Sequence, residues 1–282
     1  MVASCFLFSG MYSCVYSVRR WEPDTSSLVS SFVRIVINLV ILVAIAAATD
    51  SLKELFGDGR KSLWLRGMFG ATALITGFAS YQTIAIGEAA FLMSTSGVFV
   101  AIMSPYILGQ KNTLGAWLAV GGALVGAALL CHPTFDNGGL RGSLFALSSG
   151  FCSALAYMMV ARAGASNSPS TVIFYFCLVG TAVHLVLFTM LPHVWPREPR
   201  SYLALLAAGV LATAAQFYLT KAYQTSRATL NAAVSYLSPV LNLGAGIVLF
   251  GDRPDARSLV GAGVILICGG ALPFLTAAHK PK

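Results

Sequence analysis

The sequence contains few charged residues, and no stretch between its apolar runs is long enough to form a separate soluble domain. Only 10% of its 282 residues are charged, whereas a soluble globular domain usually has about a quarter. Hydrophobic residues make up 57% of the chain. They occur in runs of about 20 residues, which is the length a helix needs to cross a hydrocarbon core of about 30 Å. The composition therefore excludes an ordinary soluble protein and predicts an integral, multi-pass membrane protein.

The sequence also lacks the common motifs of catalysis and of ATP hydrolysis. It contains no HExxH, no Walker motif GxxxxGK[ST] and no CxxC pair. Its six cysteines are scattered through apolar segments, where they are typical of small core residues rather than of a disulfide framework or a metal site. We therefore expect neither an enzyme nor an ATP-driven pump, and we expect no metal and no cofactor.

The net charge of +8 does not point to nucleic acid, because the basic residues lie mainly in short connections between apolar segments. With the N-terminus placed in the cytoplasm, more lysines and arginines lie inside than outside, and Arg66 is counted among those inside. This bias favours the inner (plasma) membrane with both termini cytoplasmic.

Ten apolar segments can be drawn as membrane-spanning helices. The first five are 2–18, 27–48, 63–86, 89–108 and 113–131, and the second five are 141–162, 170–191, 202–221, 229–250 and 257–277. No segment outside the membrane is long enough for a soluble domain, so any chemistry must occur within the helices or at their mouths.

The chain repeats itself after half its length. Tyr81-Gln82-Thr83 recurs as Tyr223-Gln224-Thr225, and other positions match at the same offset, as Gly67 does with Gly209. Each copy has an odd number of spans, so the second must enter the membrane with the opposite polarity, as in many secondary transporters. We therefore predict an all-α integral membrane protein of ten transmembrane helices, built as two inverted five-helix repeats, 1–134 and 135–282.

Two stretches resemble the drug/metabolite transporter (DMT) superfamily in its EamA-type branch. The stretch 86–104 has a small-acid-small motif around Glu88, although Gly97 stands where that family usually has proline. The stretch 228–253 has Pro239 and ends in the Gly251-Asp252 turn typical of the ninth helix. The resemblance implies export or exchange of small metabolites through a central cavity lined by helices 1, 3, 4, 6, 8 and 9.

Polar side chains on those helices are the candidates for substrate contact. Amides and aromatic rings near the middle of the membrane suit an amphiphilic zwitterion or a planar organic molecule. The alternative role is hydrogen bonding between helices, worth about 0.6 kcal/mol per pair. No Lys or Arg is among the candidates, which argues against highly phosphorylated ligands. They are Ser9, Tyr12, Tyr16, Thr76, Tyr81, Gln82, Ser94, Thr95, Tyr157, Gln216, Tyr218, Asn231, Ser235, Tyr236 and Asn242.

Three further residues are candidates for coupling or gating: Arg34, Glu88 and Pro239. A charge as deep as Arg34 costs about 2.5–3.5 kcal/mol on insertion scales, so an ion pair with Glu88 is one hypothesis. The alternative is that Arg34 reaches the outer headgroups while Glu88 caps a helix. Pro239 removes a backbone hydrogen bond near Ser235, which would let its helix bend.

The leading functional hypothesis is a secondary active transporter that exports or exchanges a small organic metabolite, amino acid-like or otherwise polar or amphiphilic, by alternating access. The alternative is a passive channel or a lipid-handling membrane protein. Only a transporter would give saturable flux and counterflow. The expected partners are a small-molecule substrate and the lipid bilayer, with no nucleic acid. The glycine-rich faces of the fifth and tenth segments would pack between spans or else form a homodimer.

Overall fold

The computed structural model describes residues 1–81, 83–84, 86–131 and 139–277, and this part of the chain is helical. A 3-10 turn covers Leu52–Phe56 and a π-helical turn covers Gly246–Phe250. The α-helices are α1 (Val2–Trp21), α2 (Ser27–Ala48), α3 (Lys61–Tyr81), α4 (Ile86–Ser94), α5 (Ser96–Leu108), α6 (Leu114–Cys131), α7 (Gly139–Ala163), α8 (Pro169–Met190), α9 (Pro199–Thr225), α10 (Ala228–Ser235), α11 (Leu237–Ala245) and α12 (Ala256–Ala277).

Several helical stretches are long and apolar enough to cross a membrane. Within the described ranges these are seven: Ser27–Ala48, Glu88–Leu108, Leu114–Cys131, Leu140–Ala163, Pro169–Met190, Pro199–Thr225 and Ala228–Phe250. The segment Ala256–Cys268 is apolar but shorter. The all-helical membrane architecture is thus confirmed, whereas the count of ten spans and the inversion of the two halves stay predictions.

The predicted spans on α1 and α3 are the more polar ones, which is why they fall outside that set. Four serines lie along α1, and two of them, Ser4 and Ser9, are buried. α3 begins with Lys61 and carries the buried Arg66. In a membrane protein, polar residues usually face the bundle interior rather than lipid. The composition of both helices therefore suits an interior position.

The interior of the bundle is organised around α7. This helix packs against α3, α4, α5 and α9, while α1 packs against α9 and α6 packs against α12. Leu63, Val100, Met158 and Tyr223 belong to one buried cluster that joins α3, α5, α7 and α9. These four helices therefore surround the region in which the candidate site lies.

Glycines bring α6 and α12 into close contact. A Cβ on Gly261 would lie 2.6 Å from the carbonyl oxygen of Gly126, so only glycine allows this approach. Part of the small-residue pattern is thus used within one chain, as the packing interpretation predicted. Gly121 and Gly263 have open space where a Cβ would stand, so a homodimer through that face stays a prediction.

Candidate functional site

Two of the predicted spans are interrupted near their middles. The first break separates α4 from α5 at Thr95, and the second separates α10 from α11 at Tyr236. Discontinuous helices of this kind often form the binding sites of transporters, because the break frees backbone groups within the membrane. The spans predicted at 89–108 and 229–250 each correspond to one apolar helical stretch long enough to cross a membrane, and the structure adds a break within each of them.

A hydrogen bond joins the two breaks. The phenolic hydroxyl of Tyr236 donates to the carbonyl oxygen of Ser94 at 2.8 Å. That carbonyl would ordinarily accept the amide of Val98, but the break redirects this amide to the carbonyl of Thr95 at 2.9 Å. Tyr236 therefore satisfies a backbone acceptor that the break in the neighbouring helix leaves free.

Gly97 makes room for the Tyr236 ring. A Cβ on Gly97 would lie 2.7 Å from the ring carbon Cε2 of Tyr236, too close for any other residue without a shift. The position that carries proline in the resembling family is therefore filled here by a residue without a side chain. This close approach explains the departure from the family pattern.

Hydroxyl groups at both breaks bond within their own helical turn. Ser94 Oγ donates to the Phe91 carbonyl at 2.6 Å, Thr95 Oγ1 to Leu92 at 2.5 Å and Ser235 Oγ to Ala232 at 2.6 Å. Such bonds compete with the backbone ladder and bend helices. Each oxygen keeps acceptor capacity, so the three remain available to a substrate that donates hydrogen bonds.

Pro239 lies three residues beyond the second break. Because proline has no N–H, the Ser235 carbonyl lacks its usual helical hydrogen bond from position 239, as the sequence predicted. In the first half the break forms without a proline next to it. There the back-bonded hydroxyls and Tyr236 have the equivalent effect.

α9 presents a row of buried polar atoms that have no hydrogen-bond partner among the described residues. They are the side-chain oxygens of Gln216, Thr220 and Tyr223. Their spacing of i, i+4 and i+7 places them on one face of the helix. Gln216 was predicted as a candidate, whereas Thr220 and Tyr223 were missed. The ring of Tyr223 stacks on that of Tyr157, with centroids 4.8 Å apart.

Arg66, which was expected among the basic residues on the cytoplasmic side, is a buried cation. It lies roughly 8 Å along α3 from Lys61, and the residue is 4% exposed. The guanidinium carbon stands 4.3 Å from the ring centroid of Phe176 on α8. Gly70 leaves space for this stack, since a Cβ there would meet the guanidinium and lie 2.8 Å from the same ring. The interior thus contains an arginine that the expected site lacked.

The Phe176 stack does not account for the charge on Arg66. A cation–π contact contributes about 0.5–2 kcal/mol, whereas moving one unpaired ion from water into a protein interior costs several kcal/mol. Its Nε is buried without a partner, and Arg66 forms no ion pair with any described residue. The cost of burying the charge therefore exceeds the stabilisation from Phe176, so we expect the guanidinium to have a further binding partner.

The expected ion pair between Arg34 and Glu88 is absent from the described residues. Arg34 directs its Nη1 to the sulfur of Met11 at 3.7 Å, while Glu88 is buried and accepts a hydrogen bond from Ser143 at 3.0 Å. Arg34 on α2 contacts α1, whereas Glu88 on α4 contacts α7, so the two charged groups do not meet. Arg34 also lies within electrostatic range of Arg66.

The three polar residues predicted to share one face of α1 differ in how deeply they are buried. Ser9 is buried, whereas Tyr12 and Tyr16 are about half exposed. Tyr16 packs edge-on against Phe250, with centroids 4.7 Å apart. Tyr12 lies within electrostatic range of Tyr157, which places two predicted candidates near each other on α1 and α7.

The remaining predicted candidates do not gather at one place. Asn231 closes the turn between α9 and α10 by donating to the Ala222 carbonyl at 2.8 Å, and Asn242 is exposed on α11. Thr76 bonds back to Thr72 within α3 at 2.9 Å. Gln82 and the side chain of Tyr81 lie outside the described residues.

Two cavities open toward the same end of the bundle. One, of about 440 Å³, is polar and is lined by the ends of α5, α7 and α9, including Tyr223 and Arg227. The other, of about 560 Å³, is mainly apolar and lies between α2, α8 and α9, with Tyr218 in its wall. Tyr223 thus connects the polar cavity to the Tyr157 stack inside the bundle.

A cluster around Asp58 ties the α2–α3 loop to the α7–α8 loop. Its carboxylate accepts hydrogen bonds from Ser166 at 2.7 Å and Asn167 at 3.0 Å. These bonds favour the charged form, so the pKa of Asp58 is lowered. Gly57, at φ +54°, leaves room for the Asn167 side chain, because a Cβ there would collide with it.

A second cluster, around Glu22, ties the α1–α2 loop to the α8–α9 loop. Glu22 accepts hydrogen bonds from Ser201 Oγ at 2.5 Å and from the backbone amide of Arg197 at 2.6 Å. The bond from Ser201 is the main cause of a lowered pKa at Glu22. Each half of the chain is therefore fastened to the other by a carboxylate in a loop.

A helical membrane bundle with facing helix breaks and a polar interior is the architecture of a membrane transporter. The profile of the EamA-like transporter family matches residues 1–131 and again residues 140–272. The chain therefore belongs to the EamA-like transporter family, within the drug/metabolite transporter superfamily that the sequence resembled. This is a family of transporters rather than of enzymes.

Several relatives match most of the chain. The pseudopaline exporter of Pseudomonas aeruginosa is 27% identical over 96% of this chain and 93% of its own length. The riboflavin transporter of Vibrio cholerae is 30% identical over 71% of this chain and 65% of its own. Solute carrier family 35 member G1 of Mus musculus is 25% identical over 94% of this chain and 75% of its own.

A solved crystal structure has the same fold. It superposes with a TM-score of 0.83 over 99% of both chains, at 17% sequence identity. At that identity the likeness concerns the fold alone.

Proposed function

We propose that the protein is a secondary active transporter that exports or exchanges a small organic metabolite by alternating access. It does so as ten membrane spans in two inverted repeats, with α4 and α5 forming the fourth span and α10 and α11 the ninth. The observation that carries the proposal is the hydrogen bond from Tyr236 to Ser94, which joins the breaks of those two spans. Facing discontinuous helices at a repeat interface are typical of secondary transporters.

Reciprocal glycine contacts support the two-fold arrangement. A Cβ on Gly67 of α3 would lie 2.7 Å from Val179 of α8, and one on Gly209 of α9 would lie 2.6 Å from Ile37 of α2. Gly209 and Val179 each follow their counterparts by 142 residues. The same contact is therefore built twice, with the two halves exchanging roles, as a pseudo-two-fold axis requires.

Two buried hydrogen bonds donated by serines also join corresponding helices of the two halves. Ser149 on α7 donates to the carbonyl of Ala73 on α3 at 2.7 Å, and Ser4 on α1 donates to the carbonyl of Ala215 on α9 at 2.9 Å. The acceptors are again 142 residues apart, while the donors are 145 apart. The donor in the second repeat thus stands three residues, about one helical turn, further along its helix than the donor in the first.

The Asp58 and Glu22 clusters suit the two ends of an alternating-access cycle. In the ten-span topology the Asp58 loop lies on the cytoplasmic side and the Glu22 loop on the opposite side. Each cluster joins a loop of one repeat to a loop of the other. They hold the peripheral α2 and α8 helices in place while the broken spans move.

Counterflow is the experiment that tests the function. The purified protein is reconstituted into liposomes preloaded with unlabelled solute, and labelled solute is added outside. Pseudopaline and riboflavin are the first probes, because relatives of this chain are named for them, followed by stabilising compounds from a thermal-shift screen. A transporter accumulates label transiently and saturates. Linear flux without counterflow would support the channel, and movement of labelled lipid alone would support lipid handling.

The same proposal places the protein in the inner (plasma) membrane with both termini in the cytoplasm. Its partners are then the transported solute and the surrounding lipid. The open faces at Gly121 and Gly263 are where two copies would meet in a homodimer. Cross-linking between single cysteines placed at position 121 would detect such a dimer.

A further inference from the structure

We propose that the transported solute is an organic anion and that Arg66 binds its carboxylate. This rests on the proposed transport function, since it names the chemical class of the substrate. No cavity candidate chosen from the sequence carries a positive charge, so the sequence alone did not indicate an anionic substrate.

The interior has positive charge without a described counter-ion. Arg34 on α2 and Arg66 on α3 lie within electrostatic range of each other. Glu88, the one acid buried within the spans that the structure describes, is bonded to Ser143 instead. Two arginines that repel each other in a low-dielectric interior favour the arrival of an anion.

The geometry of Arg66 leaves a binding edge free. Phe176 covers a face of the guanidinium at 4.3 Å, while Nε, on its edge, is buried and without a partner. A carboxylate binds the edge of a guanidinium through two parallel N–H···O bonds and does not compete with a ring stacked on the face. The stack with Phe176 therefore orients Arg66 for one carboxylate.

The groups around Arg66 indicate the chemistry of the rest of the ligand. Tyr157 lies within electrostatic range of Arg66 and stacks on Tyr223, whose hydroxyl has no described partner. Phe176 and the two tyrosines supply aromatic surface beside the charge. This combination fits a solute with a carboxylate next to a planar apolar part.

The polar cavity gives such a solute a way to the arginine. Its wall contains both Tyr223 and Arg227, and the positive charge of Arg227 would attract an anion to the opening. Because Tyr223 stacks on Tyr157, the tyrosine pair stands between this cavity and the interior. Movement of that pair would open the path to Arg66.

Matched acids and amides test the inference. We would measure thermal unfolding of the purified full-length protein with nicotinate, nicotinamide, benzoate and benzamide, each up to millimolar concentrations. The acids are expected to raise the unfolding temperature and the amides are not. Arg66→Gln should weaken binding of the acids at least ten-fold. Arg162→Gln, which removes an exposed arginine from α7, is the control and should keep the wild-type preference.

Two results would overturn the inference. The first is equal stabilisation by an acid and its amide in the wild-type protein. The second is an acid preference that survives Arg66→Gln. If Arg66→Gln does not fold, Arg66→Lys replaces it, with several-fold weaker acid binding expected because the charge remains but the planar edge is lost. Unchanged acid affinity in Arg66→Lys would then count against the inference.

Failure of the transport function has a different signature. An Arg66-dependent preference for the acid, together with no counterflow of any solute in liposomes, would reject transport and keep the anion site. Saturable counterflow of neutral solutes that Arg66→Gln leaves unchanged would reject the anion site and keep transport.

Discussion

The hydroxyl of Tyr236 donates a hydrogen bond to the carbonyl oxygen of Ser94, the residue 142 positions before it, at 2.8 Å. The two residues occupy the same place in the two halves of the chain, each at the break of its span. Since a pair of equivalent positions can touch only near the axis that relates the halves, this bond marks the centre of the proposed repeat. The broken spans meet there.

Removal of the Tyr236 hydroxyl should destabilise the protein. Tyr236→Phe leaves the Ser94 carbonyl without its donor inside the bundle, and an unsatisfied buried acceptor costs about 1–3 kcal/mol. Thermal unfolding of the purified protein measures the loss. Tyr106→Phe, at a tyrosine that is 87% exposed, is the matched control. Equal unfolding temperatures for the two variants would show that the bond contributes nothing.

A methyl group at Gly97 should have a similar effect through packing. Gly97→Ala would place a Cβ 2.7 Å from the Tyr236 ring, and overpacking of this kind costs about 1–3 kcal/mol. We expect a lower unfolding temperature and slower counterflow, because the break must open around this contact. Gly244→Ala adds the same methyl group on α11 where nothing lies within 4 Å and should leave both measurements unchanged. If Gly97→Ala is also neutral, the close approach of the ring is wrong.

Alanine at either of the two reciprocal glycines should destabilise the protein, and a smaller residue at the facing position should restore stability in both cases. Gly67→Ala and Gly209→Ala each introduce a clash, with Val179 and Ile37 respectively, and we expect each to lower stability by about 1–3 kcal/mol. Val179→Gly should relieve the first clash in part, since the Tyr175 carbonyl also lies 2.9 Å from the new Cβ, and Ile37→Gly should relieve the second, whose three nearest atoms all belong to Ile37. Double-mutant cycles on unfolding measure the coupling. Coupling in one pair but not in the other would contradict the two-fold arrangement.

Acid should weaken the two loop clusters. Hydrogen bonds lower the pKa of Asp58 below its ordinary value of 3.8 and that of Glu22 below 4.5. A carboxyl group whose pKa is lowered by folding stabilises the folded protein above its ordinary pKa, and this stabilisation is lost as the pH falls through the lowered value. Unfolding temperature measured against pH should therefore decline at acidic pH.

Variants assign that decline to the two clusters. Asp58→Asn and Glu22→Gln together should flatten the acidic limb of the curve, because neither site then titrates. Asp24→Asn makes the same charge change in the loop that contains Glu22 and serves as the control. An acidic limb that is as steep in the double variant as in the wild type would assign it to other groups.

The membrane architecture was predictable from the sequence because it depends on composition and on the length of apolar runs. The bounds of α2 and α6, for example, agree with the predicted spans within a residue. The breaks at Thr95 and Tyr236 were not predictable, because they depend on a contact between residues far apart in the chain. Only Pro239 gave a local signal, and Gly97 gave none that distinguishes a break from close packing.

The site was predicted less completely than the fold. Tyr157, Gln216 and Tyr236 lie in the interior of the bundle, where hydroxyls and amides in apolar helices stand out, and their role in binding substrate stays a prediction. Arg66 was missed because it lies near the start of α3, where an arginine usually reaches the headgroups. Its burial depends on Phe176, more than a hundred residues away, and no local pattern in the sequence records that contact.

Accessibility of single cysteines tests alternating access at the two breaks most directly. Thr95→Cys and Ser235→Cys are made separately in a background without the six native cysteines, and impermeant thiol reagents are applied from each side of oriented vesicles. A saturating solute gradient should shift labelling of both positions from one side of the membrane to the other. Equal labelling from both sides, unchanged by solute, would contradict alternating access at these breaks.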